Sequence, residues 1–218
     1  MSKTTEKIRV FLVDDHPIVR RGFQLLLSLE RDLAVCGEAD GGPEALEKIL
    51  ELKPDVAIVD LSLKSSSGLD LIKQVRAHSS RIKLLVFTMR SEVIFAERAL
   101  HAGANGYITK EEGTEKAIEA IRLLVQGKNC FSQPVADAMM ARLAGKGSGS
   151  STALQSLSDR ELEVLELIGG GQGSRQIAER LHLSIKTIES HREHIKTKLG
   201  LKRASELANY AFNWANQR

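Results

Sequence analysis

No apolar run in this chain approaches the roughly 18 uninterrupted residues that a membrane span requires. Its N-terminus, MSKTTEKIRV, passes from a polar arm straight into a strand-like run without the apolar core of a signal peptide. The expectation is a cytoplasmic protein with no membrane partner. Cysteine is scarce: Cys36 and Cys130 are the only two. They have neither metal-ligand nor redox spacing, so no disulfide framework is expected. A strong charge imbalance is also missing, with a net charge of +3. No internal repeat is present. At 218 residues, 42% hydrophobic and 27% charged, the chain has an ordinary globular composition and room for one large domain or two small ones.

The small charge is unevenly placed. Residues 1–135 carry 19 basic and 19 acidic side chains, so the whole excess lies in residues 136–218. Between Ile185 and Arg203 there are six basic residues against two acidic ones. Such a cluster marks either a nucleic-acid footprint or a mixed-charge, solvated helix face.

Along the first half, short apolar runs alternate with helical periodicity. Ile8 to Val13, Leu33 to Ala39, Val56 to Val59, Lys83 to Thr88 and Gly106 to Ile108 read as strands. The intervening segments repeat their apolar residues at helical spacing: Ile18, Phe23, Leu26 and Leu27 in the first, for example. Five such alternations predict an α/β fold, a doubly wound five-stranded parallel sheet. Right-handed crossovers point all the strands one way, so their C-terminal ends share one rim. Asp14, Asp15, Asp60, Thr88 and Lys110 all fall there.

Taken alone, Asp60 after Val56-Ala57-Ile58-Val59 is better explained as the start of a turn. Three carboxylates, a hydroxyl and an amine on one rim are not. Clustered carboxylates call for a cation, and Mg²⁺ prefers oxygen ligands. Asp15 and Asp60 are the expected direct ligands, with the carbonyl of Ser62, while Asp14 acts through water. Asp60 could then attack a phosphoryl donor to form an acyl phosphate, with Thr88 and Lys110 on the phosphoryl oxygens.

Val13-Asp14-Asp15-His16-Pro17, the strand ending in Asp60 with Gly68 eight residues on, Thr88, and Ala104 to Lys110 together resemble the receiver domain of bacterial two-component response regulators. The resemblance spans nearly all of residues 7–130. It implies a flavodoxin-like fold, phosphorylation of Asp60 by a sensor histidine kinase, and Mg²⁺ at Asp14 and Asp15. It further implies phosphoryl contacts from Thr88 and Lys110, and an aromatic switch at Tyr107. One departure stands out: Leu63-Lys64 replaces the usual Met-Pro, which loosens the loop expected to ligate the metal. Ser62 and Arg90 sit where the family tunes phosphate lifetime.

A helix is predicted from Pro134 to Leu143, then Gly145 to Thr152 reads as a flexible Gly/Ser tether. Beyond it the pattern is all helical. Ser158 and Glu161 form a capping box flanked by the staple Leu157 and Leu162. Ser174 to Leu181, the turn His182 to Ser184, and Ile185 to Leu199 have helix-turn-helix spacing. Ile185, Ile188, Ile195 and Leu199 share the face expected to pack inward. Lys186, Thr187, Glu189, Ser190 and Glu193 are the candidates for the major groove, and Arg192, Lys196, Lys198, Lys202 and Arg203 for phosphates. Glu189 and Glu193 are equally well read as partners of Arg192 and of Lys196 or Lys186. Leu207, Ala211 and Trp214 on the last helix suit either core packing or pairing of two copies.

Leu157 to Leu165, Gln176 to Leu181 and Lys186 to His191 resemble the LuxR-type helix-turn-helix. With the receiver, the chain resembles the NarL/FixJ class of transcriptional response regulators. The implied organisation is a receiver over residues 1–130, a linker over 131–153 and a four-helix DNA-binding domain over 154–218, acting as a homodimer on promoter DNA. Two other readings are a LuxR-type transcription factor whose receiver ignores phosphate, and an aspartyl-phosphate phosphatase. The last is disfavoured because Ser62 stands where those enzymes carry a second Asp, so no enzyme is expected.

Overall fold

The computed structural model describes residues 7–63, 66–90, 92–133, 135–137, 154 and 156–216. The chain divides into two compact units, Met1–Leu143 and Ala144–Arg218.

In the first unit β1 (Ile8–Val13), β2 (Leu33–Ala39), β3 (Val56–Val59), β4 (Lys83–Thr88) and β5 (Gly106–Thr109) form one sheet. Its order is β2-β1-β3-β4-β5 and every pairing is parallel. The alternating helices are α1 (Pro17–Leu29), α2 (Gly42–Leu52), α3 (Gly68–His78), α4 (Glu92–Ala102) and α5 (Thr114–Val125). Both sheet faces are covered, which is why the strands read as continuous apolar runs rather than alternating ones. On one face Val10, Leu12, Ile58 and Leu85 pack with Phe23 and Leu27 of α1 and Ile121 and Leu124 of α5. Phe23 and Phe87 meet there edge to face, with ring centroids 4.9 Å apart. Phe11, Val13, Ala57 and Val59 alternate to the other face and are equally buried. Along β2 the register slips between Val10↔Val35 and Phe11↔Gly37, leaving Cys36 as a bulge.

Ile18 departs from the sequence expectation: it is 77% exposed. Five residues from Phe23, it lies about 140° round the helix from the buried stripe at 3.6 residues per turn. Of the predicted helix over Pro134–Leu143 only residues 135–137 are described, and these are helical; the rest of it, the Gly/Ser tether and Lys64 lie outside the described residues.

The second unit consists, among the described residues, of α6 (Asp159–Gly169), α7 (Ser174–Leu181), α8 (Ile185–Leu199) and α9 (Ala204–Asn216). The predicted capping box at α6 is present: Ser158 Oγ accepts from Glu161 N–H, and Glu161 Oε2 accepts from Ser158 N–H. His182, in the left-handed region at φ 52, closes α7 and turns the chain into α8. Ile188 and Ile195 of α8 and Leu207 and Ala211 of α9 are fully buried, so the last helix builds this unit's core. Gly169 lets α6 and α9 approach closely: a Cβ there would lie 2.6 Å from the Ala211 carbonyl oxygen. Ile185 was expected inside but is 50% exposed. It is the first residue of α8, ahead of the buried positions Ile188 and Ile195.

Candidate functional site

The sheet order reverses at β1, whose neighbours on its two sides are β2 and β3. In open α/β sheets the crevice at such a reversal, beyond the C-terminal strand ends, is where ligands bind. Register pairs Val13 with Val59, so Asp14 and Asp60 leave the sheet side by side. Thr88 ends β4 and Lys110 follows β5 at the same rim. All five rim residues named from the sequence are therefore neighbours.

Asp60 is 2% exposed and its carboxylate is fully engaged. Oδ1 accepts from the Thr88 hydroxyl at 2.7 Å and from the Ser62 amide at 3.0 Å. Oδ2 accepts from Lys110 Nζ at 2.6 Å. The same ammonium lies 2.6 Å from Asp14 Oδ2, bridging the two carboxylates. Burial works against the Lys110 charge, but the attraction of Asp60 and Asp14 outweighs it and raises the amine's pKa.

One ligand atom each from Asp14, Asp15, His16 and Asp60 lie within 4.8 Å of one another. His16 Nδ1 is 3.1 Å from Asp14 Oδ1. It is closer to Asp15 Oδ1, at 2.7 Å, yet not along a hydrogen-bonding direction, so that buried oxygen has no hydrogen bond. Burial pushes the Asp15 carboxyl up; His16 opposes this, while Asp14 and Asp60 add to it. A buried carboxylate oxygen without a donor, facing two more carboxylates, fits a hard cation with oxygen ligands.

The loop after Asp60 is pinned on both sides of Lys64. Leu61 and Leu63 are buried, Ser62 bridges Ser67, and Gly68 N–H donates to the Leu61 carbonyl. Gly68 packs directly on the site backbone: a Cβ there would lie 2.1 Å from the Asp60 carbonyl oxygen.

Two arginines shape the site: Arg90, expected beside it from the sequence, and Arg20, which the sequence did not single out. Arg90 is buried, donates from Nε to Ser62 Oγ at 2.9 Å, and lies with its guanidinium 5.7 Å from the Phe95 ring centroid. Its carbonyl accepts from the hydroxyl of buried Tyr107 at 3.0 Å, which ties the predicted aromatic switch to the β4–α4 loop. Arg20, one turn after His16, donates to the Asp14 carbonyl at 2.6 Å. That i+4 spacing was visible in the sequence as the inward side of α1.

In the second unit α7, the turn and α8 form the expected helix-turn-helix. Lys186, Glu189, Ser190 and Glu193 are exposed along α8, as are Lys202 and Arg203 just beyond it. Thr187 is half-buried and occupied by the cap: its N–H donates to Ser184 Oγ at 3.0 Å. Lys196 pairs with Glu193 at 2.8 Å, and Arg192 Nε lies 4.0 Å from Glu189. The structure places Lys198 with Glu161, 2.6 Å away across the unit. Burial would raise the Glu161 carboxyl, but Lys198 and the Ser158 N–H hold it below the usual range. Among the described residues no helix is long and apolar enough to cross a membrane.

Comparison with known proteins agrees with both halves. The family model of the response regulator receiver domain matches residues 10–122, and that of bacterial regulatory proteins, luxR family, matches residues 155–211. Oxygen regulatory protein NreC of Staphylococcus epidermidis (strain ATCC 12228 / FDA PCI 1200) is 37% identical over 210 residues, covering 94% of this chain and 96% of that protein. NreC of Staphylococcus aureus (strain MRSA252) is 36% identical over 209 residues, covering 94% and 96%. RcsB of Salmonella enterica serovar Typhimurium, solved on promoter rprA with the phosphomimetic BeF3-, gives a TM-score of 0.60 at 27% identity over 94% of this chain and 98% of that one. Receiver-type rim, helix-turn-helix and full-length relatives coincide, and the chain belongs to the NarL/FixJ-class response regulators, which join a receiver domain to a LuxR-family DNA-binding domain.

Proposed function

We propose that a sensor histidine kinase phosphorylates Asp60 and that this switches promoter binding by the helix-turn-helix. The observation that carries the reading is the convergence on one carboxylate of the Thr88 hydroxyl, the Lys110 ammonium and the Ser62 amide. An Asp60 oxygen attacks the phosphorus of a phosphohistidine, the P–N bond breaks, and the imidazole leaves as the acyl phosphate forms. Lys110 balances part of the added charge, and the Thr88 hydroxyl moves its hydrogen bond from Asp60 to a phosphoryl oxygen.

Asp14, Asp15, Asp60 and the carbonyl of Ser62 would hold Mg²⁺, which when bound neutralises the carboxylates and the phosphoryl oxygens in flight. Removing Thr88 from Asp60 disturbs the loop whose Arg90 carbonyl seats Tyr107. Thr88 and Tyr107 thus form the two-state element that phosphate biases.

In the second unit Lys186, Glu189, Ser190 and Glu193 face the major groove, with Thr187 supporting them from the cap. Arg192, Lys202 and Arg203 meet phosphates, with Lys196 available after release from Glu193, while Lys198 holds the helix in place through Glu161. Solved RcsB is described as two dimers bound to two parallel DNAs; a homodimer on promoter DNA is the corresponding proposal here. Boundaries at 1–130, 131–153 and 154–218, a cytoplasmic location and regulation rather than enzymatic turnover complete the reading.

The test is promoter binding with and without acetyl phosphate and Mg²⁺, alongside phosphate-affinity gels. Wild type is expected to give a shifted band and tighter binding, and Asp60→Ala neither. Identical binding by both proteins in both conditions refutes the switch. An absent Asp60-dependent band favours the alternative of a LuxR-type factor with a receiver not regulated by phosphate.

A further inference from the structure

We infer that the N-terminal turn of α8 reads two pyrimidines one or two steps apart on one DNA strand, Ile185 taking a thymine methyl group and Glu189 a cytosine amine. The inference rests on the DNA-reading function proposed for this unit and adds what it reads.

A lone exposed isoleucine is ordinary on a protein surface. Ile185 differs in its position. It is the first residue of the helix that a helix-turn-helix inserts into the major groove, where the N-terminal residues reach base edges. The helix start is set by Ser184, whose Oγ accepts from the Thr187 amide at 3.0 Å. That cap also occupies the Thr187 hydroxyl, 2.8 Å from Ser184 Oγ. Thr187 is thereby withdrawn from base contact, and Ile185, Lys186, Glu189 and Ser190 are left outward in the first turns.

Ile185 and Glu189 are one turn apart. At 100° per residue they lie about 40° from each other round the axis and about 6 Å along it, against about 3.4 Å between base pairs. About 6 Å is just under two base-pair steps, and less where the helix crosses the groove at an angle, so the two side chains address steps one or two apart on one side of the groove. The Glu189 side chain is 54% exposed and its nearest cation, Arg192 Nε, is 4.0 Å away, beyond hydrogen-bond range. Its oxygens can accept from a base.

In the major groove an apolar side chain is complementary to the thymine C5 methyl and a carboxylate to the cytosine N4 amine. Both groups lie on the outer edge of pyrimidines, so an apolar residue and an acid stacked one turn apart suit a pyrimidine pair. The same acid repels phosphate and disfavours guanine and thymine, whose edges offer acceptors at that position. The two acids on a face next to a basic segment thus act by discrimination, while the surrounding cations supply affinity.

The experiment selects binding sites from random duplex DNA with the full-length protein in acetyl phosphate and Mg²⁺. Each thymine of the selected half-site is then replaced by deoxyuridine, which removes only the methyl group. Wild type is expected to lose about 4-fold at one thymine, the effect of one buried carbon. Ile185→Ala should be indifferent to that same replacement, as a mutant cycle between side chain and methyl requires. At a position one or two steps away Glu189→Gln should move the preference from cytosine to adenine, the base a glutamine bonds in bidentate fashion. Selective binding without a methyl-sensitive thymine, or an unchanged base preference in Glu189→Gln, overturns the inference while the DNA-reading function stands. Failure to enrich any sequence overturns both. The deoxyuridine scan on wild type needs no variant to fold.

Discussion

Gly68→Ala is expected to be the most damaging single methyl group added to the receiver. A Cβ at this position would lie 2.1 Å from the Asp60 carbonyl oxygen and 2.7 Å from Leu61 Cα, where ordinary contact begins at 3.4 Å. The atoms it meets are backbone, so no side chain can swing aside. The displacement must be taken up by the β3–α3 connection, in which Asp60 N–H is bonded to Val13 and Gly68 N–H to Leu61. Overpacking of this kind costs about 2–3 kcal/mol. At about 3–5 °C per kcal/mol for a unit of this size, the receiver should melt roughly 10 °C lower.

Asp60 moves with its backbone, which lengthens its 2.7 Å and 2.6 Å contacts to Thr88 and Lys110. Phosphorylation by acetyl phosphate should slow by about tenfold or more, since misplacement of 1 Å can cost a hundredfold. The control is Gly22→Ala. Gly22 lies in α1 with nothing within 4 Å of an added Cβ, so there the same methyl should stabilise by about 0.5–1 kcal/mol. Calorimetry and a phosphorylation time course on the two variants check the argument. A Gly68→Ala protein that melts within about 2 °C of wild type, or a Gly22→Ala protein that melts lower, refutes it.

Asp15→Asn should weaken Mg²⁺ binding at least about tenfold by titration calorimetry, because it removes a charge and an oxygen with no other donor. Wild-type affinity should also fall as pH drops, since burial raises the Asp15 pKa and protons then compete with the ion. Glu161, held below its ordinary 4.5, contributes stability that is complete above that value and lost as pH falls through the lowered one. Glu161→Gln should therefore flatten the acid-side decline of the DNA-binding unit's melting temperature below about pH 4.5. Lys198→Met should leave the salt dependence of DNA binding nearly unchanged while lowering stability, whereas Lys202→Ala and Arg203→Ala should each reduce the salt slope by about one.

The rim could be read from the sequence because parallel strands turn a linear pattern into a place. An apolar run ending in a polar residue, repeated five times, locates Asp14, Asp60, Thr88 and Lys110 on one edge before any contact is known. The capping box at Ser158 and Glu161 was legible for the same reason, being entirely local. Contacts bridging distant segments were not. Lys198 looked like a phosphate ligand on its own helix, and nothing in spacing announced a buried Glu161, 37 residues earlier, as its partner. Arg90 and Ser62 stand 28 residues apart on two loops. Periodicity also misplaced Ile18 and Ile185: it gives the angle of a face but not where the covering element stops. The interval from Asp60 to Gly68 was visible, but the reason for a glycine, a carbonyl pressed against its α-carbon, was not.

The close approach of α6 and α9 at Gly169 has a consequence for how the protein is made. The first helix of the DNA-binding unit packs against the last, with Gly169 over the backbone of Ala211 and Leu207 and Ala211 fully buried. The reading helix α8 thus gains its full support only after residues near Ala211 have left the ribosome tunnel. Domains emerging first can fold first, so the phosphate-accepting unit can close during synthesis before the DNA-reading one is complete. Truncation just ahead of Ala211 should leave a receiver that takes phosphate and a helix-turn-helix that does not assemble.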